Sequence, residues 1–358
     1  MTAIKPQGRA RMLALLLASL LAGQATTLRI PDRAPASLFH GQQGKQRTEI
    51  HFDPATGTVT VKLLVQDPNG YFIPGIRREN FAVYVDGVRQ DNVAVDIEHA
   101  PATIALLFEY GGRYPGLNRD LTEEISRAAR KLVEVLGRQD RIALWGYGDT
   151  VHQLTDFAPR GDVLDKVLFN FTPPDVSETN LYDALIFAMK KIGSVEGRKA
   201  IILLSSGLDT FSKARYEDVL DAAGNGDTPI YAVSLAPAMR QMIQMEAAAN
   251  PLLRTDWAML EEKLLAIANA SGGRLYSPLS TIELSPIYDD IMENLKVRYV
   301  ITYKSPGTHD SNLPHTIRVE LVDPGTGKPL QIVDADYRPI HANVIVQADY
   351  TTGKTVHR

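Results

Sequence analysis

The chain has 358 residues and not one cysteine. Disulfides, zinc–thiolate centres and cysteine nucleophiles are therefore excluded. It has no excess of either charge: 38 Lys and Arg against 42 Asp and Glu give a net charge of −4. No overall basic field recommends a nucleic acid as partner. The eight histidines are scattered, and none forms the HExxH pattern of a zinc hydrolase. Long apolar runs are scarce too. The longest, Met12 to Ala22, is about eleven residues, and a membrane-spanning helix takes about twenty. What remains is an ordinary globular balance, 44% hydrophobic and 22% charged, with length for about two domains.

The apolar run near the start has a context. Lys5, Arg9 and Arg11 precede it, and the small residues of Gly23 to Ala25 follow. A basic start, a short apolar core and a small-residue exit form the layout of a secretory signal peptide, with cleavage after Ala25. Residues 1–25 are expected to be removed and the chain exported to a periplasm or beyond, with no membrane span left. A secreted chain without cysteine must rely on its packing.

Residues 26–46 are polar, contain two prolines and read as a linker. Residues 47–100 read as an antiparallel β segment. Val59, Val61, Leu63 and Val65 alternate with polar residues, and Asp67-Pro68-Asn69-Gly70 and Asp86-Gly87 carry turn chemistry. From 101 to 295 continuous apolar strands alternate with amphipathic helices. One helix shows Ile125, Ala129, Leu132, Val133 and Leu136 on one face. Another shows Leu181, Leu185, Ala188 and Ile192. Residues 160–171 are expected to be a further helix. This pattern predicts an α/β fold, a doubly wound, mostly parallel sheet covered on both faces. Residues 296–340 return to strands, and 341–358 form a polar tail, extended or loose. Small β units are marginal alone, so the segments flanking the α/β region are expected to form one small β-sandwich.

Few motifs survive inspection. "DPGTGKP" has a Gly-Lys step, but Pro329 replaces the Ser or Thr of a phosphate loop and strands flank it. "GYGDTV" lacks the third glycine of a dinucleotide fingerprint. Ser205 and Ser206 follow a strand, yet the GxSxG elbow of a hydrolase is missing its first glycine. The stronger pattern is a set of polar residues at strand and helix edges. Glu109 ends the strand of "ALLFEYGGR", Thr179 precedes the "LYDAL" helix, and Ser206 and Asp209 follow "AIILL". In a doubly wound sheet the loops at the carboxyl ends of the strands share one rim, where ligands bind.

These residues carry a family resemblance. "TNLYDALIFAMKKI", "RKAIILLSSGLDT", "IYAVSLA" and "LLAIANASGGRLY" occur in the order of a von Willebrand factor A (VWA) domain. The chain from about 57 to 340 resembles the VWA-related proteins abundant in acidobacteria, with "VQDPNGYFIPGIRRENFAVYVDGVRQ" before the domain and "RYVITY" and "HTIRVEL" after it. The resemblance implies a Rossmann-like fold and a metal-ion-dependent adhesion site for Mg²⁺. Its three loops supply Asp-x-Ser-x-Ser, a Thr and an Asp. By position Glu109 stands for the first Asp, Gly111 and Arg113 for the two Ser, Thr179 for the Thr and Ser206 for the second Asp. In the neighbouring register Phe108 takes the Asp position. The site is thus expected to be degenerate, with Glu109, Thr179 and Ser206 as its remaining oxygens, Mg²⁺ the ion they leave open and no other cofactor. Alternatively, Glu109 pairs with Arg113 or caps the following helix.

The segment 236–255 is long for a strand-to-helix connection and holds Met239, Met242 and Met245. Two readings stand: an adaptable binding surface on the rim, or a short helix packing its methionines inward. Together these features predict a secreted, non-enzymatic module that binds a protein partner through the rim of Glu109, Thr179, Ser206, Asp209 and the three methionines. The alternative is a hydrolase or metal-dependent enzyme using Ser205, Ser206 or Glu109 on the same rim.

Overall fold

The computed structural model describes residues 27–30, 39–40, 48–68, 70–110, 118–159, 178–244, 255–305, 314–340, 342, 346–351 and 356–357. The expected signal peptide, the helix expected over 160–171, Gly111, Arg113 and Met245 lie outside them. In chain order the first strands are β1 (Thr27–Arg29), β2 (Phe39–His40), β3 (Glu49–Asp53), β4 (Thr58–Leu63), β5 (Phe81–Val85), β6 (Val88–Arg89), β7 (Ala94–His99) and β8 (Ala102–Glu109). Then come α1 (Asn118–Val135), β9 (Arg141–Tyr147), β10 (Val151–Gln153), β11 (Ala158–Pro159), α2 (Leu181–Gly193), β12 (Arg198–Ser205) and α3 (Tyr216–Asn225). They are followed by β13 (Ile230–Ser234), α4 (Ala236–Gln244), α5 (Trp257–Ser271), β14 (Arg274–Tyr276) and α6 (Leu284–Lys296). The chain closes with β15 (Val297–Lys304), β16 (Pro314–Leu321), β17 (Gln331–Val333), β18 (Pro339–Ile340), β19 (Val346–Thr351) and β20 (Val356–His357).

The central sheet runs β10-β9-β8-β12-β13-β14-β2. Strands β9, β8, β12, β13 and β14 are parallel, and β10 and β2 are antiparallel edges. The first six strands follow the doubly wound order 3-2-1-4-5-6. Every residue of β8 is buried because both faces of the sheet are covered. Ile104, Leu106 and Phe108 point into a core with α1, α4 and α6, whereas Ala105 and Leu107 point into one with α2, α3 and α5. The expected helix faces hold: Ile125, Ala129, Leu132, Val133 and Leu136 are buried, as are Leu181, Leu185, Ala188 and Ile192. Each fully buried side chain of this size contributes about 1.5–3 kcal/mol, so the two cores dominate the fold. The sheet closes tightly at Gly273, where a Cβ would lie 2.0 Å from the Ile230 carbonyl oxygen.

The flanking β segments form a sandwich. One sheet runs β20-β3-β4-β15-β7, the other β19-β16-β5-β6, and a third core lies between them. In β4, Val59, Val61 and Leu63 face that core while Thr58, Thr60 and Lys62 face outward. The chain leaves β7 for β8 and returns through α6 into β15. Because β7 and β15 are paired neighbours, Val297 opposite His99, the α/β layer departs from and rejoins the sandwich at one place.

One expectation fails, and another is narrowed. The linker reading of 26–46 misses β1, which pairs in parallel with β17 and is followed by the buried Ile30, and β2, which extends the central sheet along β14. The tail 341–358, read as extended or loose, is extended where described: it supplies β19 on β16 and β20 on β3. β1, β2 and β20 have two or three residues each, too few to show a period, and they are held by partners more than 200 residues away; β19 is longer but lies in a polar segment, so local composition outweighed them all.

The sandwich joins the α/β layer at the amino end of the parallel strands. The Arg198 guanidinium at the start of β12 pairs with Glu98 of β7, which also binds Lys62 at 2.7 Å. Gln66 donates to Asn294 of α6 at 2.6 Å, and Arg274 at the start of β14 donates to the Gly70 carbonyl. The carboxyl ends of the strands face the other way.

Candidate functional site

The strand order reverses between β8 and β12, and ligand sites of doubly wound sheets lie beyond that point. Glu109 is the last residue of β8 and Ser205 the last of β12, with Ser206 just after it. All three are completely buried. The Ser206 amide donates to Glu109 Oε2 at 2.7 Å, and the Ser206 hydroxyl lies 2.8 Å from Oε1. Ser205 Oγ lies 3.2 Å from Oε2. Tyr147, at the end of β9, holds its phenol 2.8 Å from Ser205 Oγ and 3.2 Å from Glu109 Oε2. The carboxyl group thus ties together the ends of three adjacent strands through hydrogen bonds of 2.7 to 3.2 Å.

Loop 206–214 is clipped to the start of α2. Asn180 precedes α2 without capping it through its side chain. Asp209 supplies the cap from the neighbouring loop, accepting from the Tyr182 amide at 3.1 Å, where the helix dipole favours an anion. Asp183 accepts from the Lys213 and Ala214 amides at 3.0 and 2.8 Å. The Thr179 amide donates to the Thr210 hydroxyl and its carbonyl accepts from the Thr210 amide, both at 2.9 Å, but its own Oγ1 is buried and has no hydrogen-bond partner.

The structure therefore brings Glu109 and Ser206 into contact, and it places Thr179 and Asp209 on the same group of loops. The residues do not fit a divalent cation. Octahedral Mg²⁺ needs hard oxygens in near-ideal array. Glu109 already spends both oxygens on protein donors and Ser206 is bonded to it. Among the described candidate residues, only Thr179 Oγ1 and the second oxygen of the helix-capping Asp209 are left without a protein partner, too few for an octahedral ion. Among the described residues no group of three His, Asp or Glu side chains clusters for a metal. Ser205 and Ser206 are closed off from the surface and engaged by Glu109.

The methionine segment is corrected in part. Met239 lies on α4 and is buried in the core, because α4 begins at Ala236 directly after β13 and packs its apolar side on the sheet. It offers nothing to a rim. Met242 falls on the same helix, with its side chain outside the described residues.

Sequence reasoning missed Tyr147, whose signal was its place at the end of an apolar strand. It also missed a cavity of about 340 Å³ beside the site, lined by Tyr182, Leu208, Asp209, Asp256, Met259 and Lys263 among others. Gly207 opens this cavity. Its φ of +84° and its approach to Leu260 of α5, where a Cβ would meet the carbonyl oxygen at 3.1 Å, need a residue without a side chain. Burial and then Asp209 push the Tyr182 phenol up to about 12.

No protein-family profile matches the chain, and no curated protein matches its sequence. Among solved structures it is similar to proximal thread matrix protein 1 from the mussel byssus: 16% identity, 60% of this chain and 51% of that one, TM-score 0.42. The chain thus spans about half the length of that protein. It is also similar to a von Willebrand factor type A structure from Catenulispora acidiphila, at 9% identity over 79% of this chain and 75% of that one, TM-score 0.42. The vWF domain of the type V pili tip protein Mfa5 from Porphyromonas gingivalis matches at 14% identity over 55% of this chain and 95% of that one, TM-score 0.39. Nothing about function follows from likenesses this distant.

Proposed function

We propose that this chain is an exported, non-enzymatic module of the VWA type that binds a protein partner through its carboxyl-end rim, without a metal ion. One observation carries the reading. The β-sandwich joins the α/β layer at the amino ends of the strands, and four of the seven exposed large apolar side chains among the described residues lie toward the opposite end. Phe211 follows β12, Met259 sits in the first turn of α5, and Leu279 and Ile282 follow β14. Most of the large exposed apolar side chains among the described residues thus sit at the end of the sheet away from the sandwich, which supports an interaction surface there.

The metal-free part rests on the filled hydrogen bonds of Glu109. Millimolar Mg²⁺ or Mn²⁺ is expected to leave the melting temperature unchanged, since any ligand that binds the native state raises it. Capture of a partner from the cell envelope by the immobilised chain is expected to survive EDTA and to fail for Phe211→Asp, an exposed change that leaves the fold alone. A thermal shift with Mg²⁺ that Thr179→Ala abolishes would overturn the metal-free reading. Capture indifferent to Phe211→Asp would overturn the rim reading.

Export rests on the charged start, short apolar core and small residues that end at Ala25. N-terminal sequencing of the exported chain is expected to read from Thr26. A chain still beginning at Met1 refutes cleavage.

A further inference from the structure

We propose that the cavity between the loop after β12 and the first turns of α5 is a pocket for a basic side chain, a lysine or arginine of the protein partner. The inference rests on the rim being a protein-binding surface and adds what the partner brings to it. At about 340 Å³ the cavity stands at the low end of small-molecule sites, which run from about 300 to 1,000 Å³. It suits one long side chain better than a cofactor.

Its walls are divided. Leu208, Met259, Leu260 and the ring of Tyr182 supply apolar surface for a hydrocarbon stem. Asp209 and Asp256 supply two carboxylates. Each has one oxygen committed to a helix start, Asp209 Oδ1 to the Tyr182 amide and Asp256 Oδ1 to the Met259 amide at 3.0 Å. The second oxygen of each has no hydrogen-bond partner among the described residues. Among the described residues one cation opposes them, Lys263, and its ammonium lies 5.5 Å from the centre of the Tyr216 ring. Two carboxylates against one ammonium leave the described lining negative. Burial first, and then the Asp209 carboxylate on the cavity wall, push the Tyr182 phenol up.

The mouth favours a protein over a free polyamine. Met259 is 45% exposed on the cavity wall, and Phe211, 71% exposed, stands on the same loop as Leu208 and Asp209. These give flanking peptide residues an apolar surface that a polyamine would not use. The arrangement is a small anchor site with a basic head recognised at its acids and a stem held by its walls.

The test uses the whole exported chain labelled at its methionine methyls, with the Met259 signal assigned through Met259→Leu. The probes are Nα-acetyl-arginine amide, Nα-acetyl-lysine amide, the neutral citrulline analogue and Nα-acetyl-glutamate amide. Both basic amides are expected to move the Met259 methyl saturably, and the other two to leave it in place. Asp256→Asn keeps the helix cap, since Asn caps as well as Asp. It is expected to weaken the basic amides about two- to fivefold, the range of one exposed ion pair. Lys263→Gln is expected to tighten them by a similar factor. The inference is overturned if the basic amides leave Met259 unmoved or if citrulline amide binds equally. It is also overturned if glutamate amide binds and Lys263→Gln abolishes that binding. None of these results touches the rim reading, which the Phe211→Asp capture experiment decides separately.

Discussion

Glu109→Ala is expected to lower the stability of the chain by about 3–5 kcal/mol, measured by urea or thermal unfolding. The carboxylate accepts from the Ser206 amide and both serine hydroxyls, with the Tyr147 phenol in reach, and all of these groups are buried. Removing it leaves several donors without their acceptor, at about 1–3 kcal/mol for each that stays unsatisfied. Water entering the vacated space recovers part of this, which sets the total below the simple sum. Glu109→Gln keeps the shape but turns an NH₂ toward groups that are themselves donors, so it is expected to cost roughly half as much. Ser206→Ala, which deletes one hydroxyl and keeps the amide bond, is expected to cost about 1–2 kcal/mol. The effect reaches the rim, because Gly207 to Asp209 follow directly and line the cavity. A neutral Glu109→Ala would show that the three strand ends are not held by this carboxylate.

The acid at the end of a buried strand was visible in "ALLFEYGGR", but what satisfies it was not. Its partner Ser206 is 97 residues further along the chain and Tyr147 is 38. Sequence reading located the strand ends through the sheet rule, and so brought Glu109, Thr179, Ser206 and Asp209 to one rim. It did not distinguish an oxygen free to bind a metal from one already bonded. The α/β layer was legible because its strands and helices are long enough to repeat their period, as Leu181, Leu185, Ala188 and Ile192 do. The return of β15 beside β7 was legible only as an expectation that small β units combine. β1, β2 and β20 were hidden because they are too short to show a period and are held by distant partners, and β19 because its residues are mostly polar. The cavity was hidden for a different reason. It forms only where the loop after β12 meets the first turns of α5, two segments about 50 residues apart whose meeting no local pattern announces.

Asp290→Ala is expected to cost about 3–5 kcal/mol and to separate the unfolding of the sandwich from that of the α/β layer. Asp290 on α6 is buried and holds three groups. Arg274 donates to Oδ2 at 2.8 Å, the Tyr276 phenol to the same oxygen at 2.8 Å, and Asn294 Nδ2 to Oδ1 at 2.9 Å. Burial first, then the Asp290 carboxylate, push the Tyr276 phenol well above its ordinary value, so it remains a donor throughout the working range. Losing one partner of a buried ion pair is costly because the other charge stays behind, and Arg274 is only 8% exposed. Asp290→Asn, which keeps one acceptor oxygen, is expected to recover about half of the loss. The second part of the prediction follows from where the held groups lead. Arg274 also donates to the Gly70 carbonyl and Asn294 also accepts from Gln66, both on the sandwich side. The sandwich core and the two α/β cores form separate apolar clusters, so this joint depends heavily on polar contacts. In calorimetry the unaltered chain is expected to unfold in one transition, and Asp290→Ala in two, with a van't Hoff enthalpy below the calorimetric one. A single cooperative transition with less than about 1 kcal/mol lost would mean that the backbone crossings at β7–β8 and α6–β15 suffice to couple the two layers.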